Sequence, residues 1–531
     1  MLIWYIHQFV QNKIYFQVIL FVFDNILPIY RTNSSETVSF CHERGEKTAL
    51  KVDNSITKKN KNQESRRMQA LHIVSEEPSK TLEKLEESYQ ALRTHILQLE
   101  ANKSSFQEHE EKITHFVHEI GRAAIKETLS RYDIRSARIH VGTQIYRHRT
   151  SAPKEYQTPF GSILLERQMY VNRKNDGNGL SICPLELQAG IIEGYWTPLA
   201  AQQAMWALSH LTPRETEAML FRFKGMNPSR SSLDRLPKAI NELWEPQTVS
   251  YHTQLIHEEG IPKEATSCAV SLDGVMVGMK PNTTLLGESI KGTQWKEASC
   301  GTVSFFDALG ERISTIQYGR MPEHKKFTQK TLLRLHTEHI MQHRPDLQLV
   351  HIADGAQDNW TFFDEYMPLG FQVTDFYHAS QYLKEAFNAA YLKEPNKAVS
   401  KFKQYQTILR DEINGINKVM RALRYLRDQH KGNQAIVTCL TYFTNNQHRM
   451  RYALAKQNNL PIGSGIVEAA CKTLVGQRLK RAGMSWSFDG AQGVLTMRSL
   501  AKSDRFDKAW PFIANHYKHK VTPYKSLQLV G

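Results

Sequence analysis

Three acidic residues stand where a metal-dependent phosphodiester chemistry needs its ligands. Asp273 ends the apolar run Ala269–Leu272, and Asp354 ends the apolar run Leu349–Ala353. Glu468 falls in the first turn of a helix predicted after a glycine-rich segment. Two carboxylates on strand ends and one on a helix can hold two divalent cations about 4 Å apart, one on each oxygen of an in-line displacement at phosphorus. Mg²⁺ suits such a set because it prefers oxygen ligands and keeps several waters.

Each of the three acids also has a plain structural interpretation. Asp273 and Asp354 both precede a glycine, and Asp-Gly is a strong turn signal. Glu468 could pair with Lys472 one helical turn later. Asp358 competes with Asp354 for the second ligand position, but it lies on the following predicted helix, where a solvated position is expected. The order of the three acids along the chain favours one joint site.

A second group of polar residues could support that site. Asp375 and His378 end the predicted fifth strand. His378 could contact the scissile phosphate with Asp375 as its partner, or the two could form a hydrogen-bonded sheet edge, and spacing alone leaves both interpretations open. Ser464 is predicted to N-cap the helix of Glu468. The glycines beside it would let the backbone approach a phosphate or metal closely.

Basic residues follow the third acid. Lys472 and Lys480 are expected to share one helix face, which Arg478 and Arg481 widen. A charge run is usually a solvated helix face, but beside an acidic site it favours a track for DNA phosphates. Trp486 is then a candidate for stacking on a base or wedging between bases.

Composition limits the function classes. The chain has 531 residues, of which 41% are hydrophobic and 23% charged, as expected for globular domains. The formal net charge is +15, and from Cys471 onward eleven Lys and Arg face three Asp and Glu. Such an excess favours a polyanionic partner, here DNA. Six cysteines without CxxC spacing argue against a disulfide framework and a zinc ribbon and suit the reducing cytoplasm. The N-terminal apolar run 14–23 is too short to span a membrane.

The catalytic core is predicted to be α/β, in residues 265–379. Three antiparallel strands followed by helix, strand, helix and strand give the order of a ribonuclease-H-like sheet. An α-helical insertion over 380–455 separates this part from 456–515, which carries the Glu468 helix and the basic part of the core. Residues 516–531 form a tail. The predicted elements are strands 267–277, 301–306 and 312–318, helix 324–343, strand 347–353, helix 356–366 and strand 371–376.

Helical and DNA-binding regions are predicted before the core. Residues 1–67 are expected to be a disordered or non-native extension, with translation beginning at Met68. Residues 68–150 are predicted to be helical. A heptad seam there fits either a dimerising coiled coil or an amphipathic helix packed on its own domain. Residues 151–255 are predicted to hold a β-ribbon and a helix-turn-helix-like region, with 228–240 as the candidate reading helix, although three short helices are also a common scaffold. The seam residues are Leu82, Leu85, Tyr89, Leu92, Ile96 and Leu99.

The motifs together resemble those of bacterial DDE transposases, and the chain looks closest to the Kra-type insertion-sequence family (ISKra). The resemblance covers roughly residues 70–515. Its most specific part is the Pro-Ile-Gly-Ser-Gly block with Glu468 and the basic helix that follows. The matching segments are Ser271–Gly274, Trp295–Glu297, Ala353–Ala356, Asp375–Ala379, Leu460–Ala469 and Arg478–Trp486.

The resemblance implies a fold and an activity. It implies a ribonuclease-H-like core with a helical insertion before the glutamate, and cleavage at the ends of a mobile element with joining of the 3′-OH to target DNA. It maps Asp273, Asp354 and Glu468 onto the acidic triad, which holds two Mg²⁺ or Mn²⁺ ions. Asp375 and His378 map onto an Asp-x-x-His motif.

Partners and alternatives follow from the same resemblance. We expect terminal inverted repeats and target DNA as partners, a homodimer or higher multimer on DNA, and a location in the bacterial cytoplasm or nucleoid. Relatives often carry a Cys-rich ribbon, but here only Cys183 lies near that place, so a zinc site is not expected. The alternatives are a metal-dependent nuclease without strand transfer and a domesticated DNA-binding protein.

Overall fold

The chain folds into a mixed α/β structure with two sheets and many helices. The structure is a computed structural model that describes residues 80–98, 105–172, 180–280, 292–322 and 325–524. The predicted extension 1–67, Leu99 and the turn 175–177 lie outside the described residues. The strands are β1 (Arg138–Val141), β2 (Gln144–Thr158), β3 (Gly161–Val171), β4 (Ser181–Ile182), β5 (Ser267–Met279), β6 (Gln294–Phe306), β7 (Arg312–Arg320), β8 (Gln348–Ala353), β9 (Phe371–Thr374) and β10 (Val521–Pro523).

The helices surround these sheets, and none of those described is long and apolar enough to cross a membrane. Short 3-10 turns and two π-helical turns, Lys325–Gln329 and Cys471–Gly476, interrupt them. The α-helices are α1 (Lys80–Leu97), α2 (Phe106–Ser130), α3 (Pro184–Ala189), α4 (Pro198–His210), α5 (Pro213–Arg222), α6 (Arg230–Trp244), α7 (Thr248–Glu258), α8 (Lys330–His343), α9 (Gln357–Tyr366), α10 (Phe376–Ala390), α11 (Pro395–Asp411), α12 (Gly415–Gln429), α13 (Gln434–Asn446), α14 (Tyr452–Gln457), α15 (Gly465–Ala470), α16 (Gln477–Leu479), α17 (Phe488–Lys502) and α18 (Phe506–His516).

The central sheet has the strand order β7-β6-β5-β8-β9. β5, β6 and β7 are antiparallel neighbours, whereas β8 runs parallel to β5 and β9 runs parallel to β8. The five predicted strands are all present, in the predicted order. The first two are longer than the apolar runs indicated, because the antiparallel pairing of β5 with β6 continues as far as Met279 and Gln294.

Both faces of the central sheet are covered. Val270 and Val303 lie on one face and pack against α8 and α9, through Leu333 and Trp360 among others. Ile352 and other residues of the opposite face pack against the helices α10 to α14. These helices cover the stretch 380–455, so its helical prediction is confirmed, although α10 already begins at Phe376. Burial on both faces explains why the strands read as near-continuous apolar runs.

The second sheet contains a β-ribbon in the predicted region, the pair β2–β3, but it is larger than the sequence indicated. Its order is β10-β1-β2-β3-β4, and it includes residues 138–150, which were predicted to be helical, and part of the predicted tail. Most side chains of β2 are exposed, so no apolar alternation marks it in the sequence.

The N-terminal helices pack within the chain. α1 lies on α2, and the ring of His95 contacts His109 and Phe116. Two residues of the heptad seam, Tyr89 and Ile96, remain 37% and 55% exposed. The amphipathic-helix interpretation therefore describes the contacts of α1 in this chain, and a coiled coil between chains stays a prediction.

The predicted reading helix is mostly a packing element. α6 is N-capped by Ser229, whose hydroxyl accepts the N–H of Ser232. Leu233, Leu236 and Ile240 are buried against neighbouring helices. The opposite face of α6 is exposed, and its role toward DNA stays a prediction.

Candidate active site

Asp273 and Asp354 lie at the same level of two neighbouring parallel strands. The parallel pairing of β5 with β8 ends at Ser271 and Ile352, and each aspartate stands two residues beyond its paired residue. Because side chains alternate along a strand, residues two positions on return to the same face. The two carboxylates interact electrostatically, and Asp354 contributes to raising the pKa of Asp273.

Asp273 does not end its strand, contrary to the prediction. It lies within β5, opposite Cys300 of β6, and only the pairing with β8 stops before it. Its Oδ1 accepts the N–H of Gly274 at 2.7 Å, and its Oδ2 accepts the thiol of Cys471 at 3.5 Å. Burial raises the pKa of Asp273, and these two hydrogen bonds oppose the rise.

Asp354 immediately follows β8 and is held by the turn into α9. Its Oδ1 accepts the N–H of Ala356 at 3.0 Å and the Nδ2 amide of Asn359 at 3.2 Å. The competing ligand Asp358 lies in the first turn of α9, is exposed, and faces Lys330 at 3.5 Å. Asp358 therefore has the solvated helix position that the sequence predicts.

Glu468 lies in the first turn of α15 as predicted. The helix is anchored because Val467, Ala470 and Cys471 join an apolar cluster with residues of β5 and β6. Ser464 occupies the predicted N-cap position, but its side chain makes no capping hydrogen bond to the backbone. Its Oγ instead donates to Oε1 of Glu468 at 3.0 Å.

Asp375 joins the end of β9 to the segment before α15. It N-caps α10, and so Asp375 and His378 begin a helix instead of ending the fifth strand. The Oδ1 of this buried carboxylate accepts the N–H of His378 at 2.5 Å, and Oδ2 accepts the N–H of Ser464. The His378 Nδ1 lies 3.9 Å from Oδ1.

Asp375, His378 and Glu468 form a cluster that could hold a metal ion, because one ligand atom from each lies within 4.8 Å of the others. Both oxygens of Asp375 accept backbone N–H groups, so this carboxylate is fixed in place within the cluster. His378 also acts electrostatically on Asp273. Asp273 and Asp354 are not part of this cluster within the described part of the chain.

The basic residues after Glu468 divide into exposed and internal ones. Lys472 and Lys480 are exposed. Arg478 is only 1% exposed, its Nε donates to the carbonyl of Leu208 at 3.0 Å, and it lies over the ring of Trp486. Burial lowers the pKa of Arg478 to about 10. The prediction that Arg478 contacts DNA does not agree with this burial.

Arg481 and Trp486 also make internal contacts. The guanidinium of Arg481 donates to both carboxylate oxygens of Glu215 at 2.6 Å, which joins this segment to α5. Mainly because of Arg481, the pKa of Glu215 falls to about 2. The Trp486 indole N–H donates to Leu479 at 2.9 Å, and its backbone pairs with Gly278. Contact of either residue with DNA stays a prediction.

Sequence reasoning missed three residues beside the acids. Cys471 follows Glu468 by one helical turn, a spacing that was visible in the sequence. Cys300 belongs to the same apolar cluster as Cys471, and its thiol is the first of the causes that raise the pKa of the Cys471 thiol. The ring of Tyr442 lies against Gly355, so closely that a Cβ there would stand 2.3 Å from it. Only the tertiary contacts reveal Cys300 and Tyr442.

Comparisons with known proteins give one structural similarity to report. No protein-family model matches the chain, and no curated protein matches it. Among solved structures, the chain is similar to a chain of the Drosophila P element transposase strand transfer complex, with 12% sequence identity and a TM-score of 0.22. The alignment covers 60% of this chain and 81% of the transposase chain.

Proposed function

We propose that this protein is a transposase of the DDE type, with Asp273, Asp354 and Glu468 as its acidic triad. The observation that supports the proposal best is the pair of aspartates at one level of adjacent parallel strands. The helix of Glu468 packs on the same sheet through Cys471. More specifically, we propose that the transposase is of the ISKra type.

The strand order supports a ribonuclease-H-like core. Three antiparallel strands continue into two parallel ones, in the order β7-β6-β5-β8-β9. In this interpretation α10 to α14 form an insertion between β9 and the Glu468 helix. We keep the domain limits 68–150, 151–255, 265–379, 380–455 and 456–515 as part of the proposal.

The donor set fits Mg²⁺ or Mn²⁺. All three acids offer carboxylate oxygens, which hard divalent cations prefer. Two bound ions would activate the attacking oxygen and stabilise the leaving oxygen of a phosphodiester. Asp273 and Asp354 would hold these ions, and Glu468 would complete the second position.

The surrounding residues would position the acids and the DNA. Ser464 orients Glu468 by its hydrogen bond, and Asp375 fixes the backbone of Ser464. His378 would contact the scissile phosphate beside Glu468. The exposed Lys472 and Lys480 would contact DNA phosphates, the inverted repeats and target DNA being the proposed partners. We also propose that the protein acts as a multimer on DNA in the bacterial cytoplasm.

The test is an assay of DNA cleavage and 3′-OH joining with the DNA that flanks the gene. Asp273→Asn, Asp354→Asn and Glu468→Gln should each abolish cleavage while binding to the element ends is retained. Asp358→Asn is the matched control, because this aspartate is exposed and pairs with Lys330, and it should cleave normally. Full cleavage by any of the three site variants would refute the assignment. Cleavage without joining in the wild type would indicate a nuclease.

A further inference from the structure

Cys471 links the helix of Glu468 to Asp273. It begins the π-helical turn Cys471–Gly476 at the end of α15, three residues after Glu468. Its thiol donates to Oδ2 of Asp273 at 3.5 Å and shares an apolar cluster with the thiol of Cys300. Cys300 is the cross-strand partner of Asp273 in the β5–β6 pair. The two thiols and the carboxylate therefore form one connected group.

The group is shielded from water on the thiol side. Cys471 is 5% exposed and Cys300 is fully buried, within an apolar cluster that includes Val277, Ala298 and Leu474. A hydrogen bond in such surroundings does not compete with bulk water and is stronger for that reason. π-helical turns are rare and occur often at functional sites.

The two oxygens of Asp273 are held from different directions. Oδ1 accepts the N–H of Gly274 on its own strand, and Oδ2 accepts the thiol of Cys471 from the Glu468 helix. Together these donors set the plane of the carboxylate. A thiol is a weak donor, so it can orient an oxygen without competing strongly with a cation.

We propose that Cys471 is a positioning residue that orients the Asp273 carboxylate for metal binding and couples it to the helix of Glu468. This inference rests on the proposed function, because it assumes that Asp273 is a metal ligand. Groups that orient metal ligands typically change metal affinity by about 10- to 100-fold when they are removed. Metal binding should then depend on the hydrogen-bonding capacity of the Cys471 side chain and not only on its volume.

The experiment compares Cys471→Ser, which keeps a donor, with Cys471→Val, which keeps an apolar side chain of similar size. Mn²⁺ binding to the full chain is measured without DNA by electron paramagnetic resonance, in the presence of a thiol reductant. We expect about 10-fold weaker Mn²⁺ binding in the Val variant, and binding within about 3-fold of the wild type in the Ser variant. The Mg²⁺ concentration for half-maximal cleavage should shift in the same order.

Two controls separate orientation from packing. Cys300→Val removes the other buried thiol and leaves the hydrogen bond between Cys471 and Asp273 in place, so it should weaken Mn²⁺ binding less than Cys471→Val does. Circular dichroism and thermal unfolding check that each variant folds, and Cys471→Ala replaces the Val variant if that one does not. Equal losses in the Ser and Val variants, or wild-type Mn²⁺ binding in the Val variant, would overturn the inference.

Mn²⁺ binding by the Asp273→Asn variant distinguishes a failure of the Cys471 inference from a failure of the proposed function. If wild-type protein binds Mn²⁺ and Asp273→Asn abolishes this binding, the metal site stands whatever Cys471 does. If Asp273→Asn leaves Mn²⁺ binding unchanged, Asp273 is not a ligand, and both the proposed function and the role of Cys471 are refuted.

Discussion

The buried carboxylate of Asp375 accepts the backbone N–H of Ser464, 89 residues further along the chain. This hydrogen bond fastens the segment before the Glu468 helix to the end of β9. The neighbouring backbone supports the junction, since Phe376 N–H donates to the carbonyl of Ile462 at 3.0 Å. The helical insertion between the two segments therefore begins and ends at one place on the sheet.

We expect Asp375→Asn to lower the free energy of unfolding by about 1–3 kcal/mol. Asp375 accepts the N–H groups of His378 and Ser464, one on each carboxylate oxygen. In asparagine an NH₂ group replaces one of these oxygens, so one of the two N–H groups would lose its acceptor. Urea unfolding followed by circular dichroism measures the change. Asp358→Asn is the surface control and should alter stability by less than about 0.5 kcal/mol. Wild-type stability of Asp375→Asn would contradict the role of this carboxylate as a junction.

Ser464→Ala should affect cleavage more than stability. The substitution removes the Oγ donor to Glu468 but keeps the backbone N–H that Asp375 accepts. Since Glu468 loses an orienting contact, we expect an activity about 10-fold lower at limiting Mg²⁺. Single-turnover cleavage across a range of Mg²⁺ concentrations measures this. Ser464→Thr, which retains a hydroxyl, is the matched control, and equal losses in both variants would contradict the explanation.

Gly355→Ala should disturb the turn that holds Asp354. A Cβ at this position would stand 2.3 Å from the ring of Tyr442, and such overpacking typically costs about 1–3 kcal/mol. Thermal unfolding and cleavage should both decline. In the double variant with Tyr442→Ala, the added methyl group has space, so the second substitution should suppress part of the loss. If the stability losses of Gly355→Ala and Tyr442→Ala are strictly additive, the contact with Tyr442 is not the cause of the Gly355→Ala effect.

Lys472 and Lys480 should bind DNA phosphates, whereas Arg478 should stabilise the fold. Lys472→Ala and Lys480→Ala should each weaken binding to all DNA sequences and reduce the salt slope of the affinity by about 0.9 for each lost phosphate contact. Fluorescence anisotropy at several salt concentrations measures the slope.

Arg478→Met is the contrasting variant for this prediction. It removes the hydrogen bond to Leu208 and the contact with Trp486, and it should lower stability while leaving the salt slope unchanged. A lower salt slope of the DNA affinity in a folded Arg478→Met protein would instead indicate that Arg478 contacts DNA.

The metal-free stability difference between Asp273→Asn and wild type should depend on pH. Burial raises the pKa of Asp273 above its ordinary 3.8, so the folded state holds this proton more tightly than the unfolded state. The stability that protonation contributes is complete below pH 3.8 and is lost as the pH rises through the higher folded-state pKa. The Asn variant does not titrate there, so it should gain stability relative to wild type over that pH range.

Urea unfolding in the presence of a chelator, at several pH values, measures this difference. Glu258→Gln on α7, at an exposed position, is a control that should show no such trend. A constant difference, or an Asn variant that loses relative stability as the pH rises, would contradict the raised pKa.

The acids and the strand order could be read from local patterns in the sequence. Each buried strand leaves an apolar run, and Asp273, Asp354 and Glu468 follow such runs or a glycine-rich segment closely enough to be recognised. The second sheet could not be read in this way, because β2 exposes most of its side chains and carries no apolar alternation. In the same sheet, β1 pairs with β10, which is far from it along the chain.

The contacts of the candidate site depended on packing between distant segments. Arg478 reads as a surface residue of a basic helix, yet it is buried because that segment docks against the end of α4. Cys471 and Asp273 are 198 residues apart, and no local pattern relates a thiol on one helix to a carboxylate on one strand. Periodicity reports only which residues prefer burial, whereas register and helix docking fix which side chains meet.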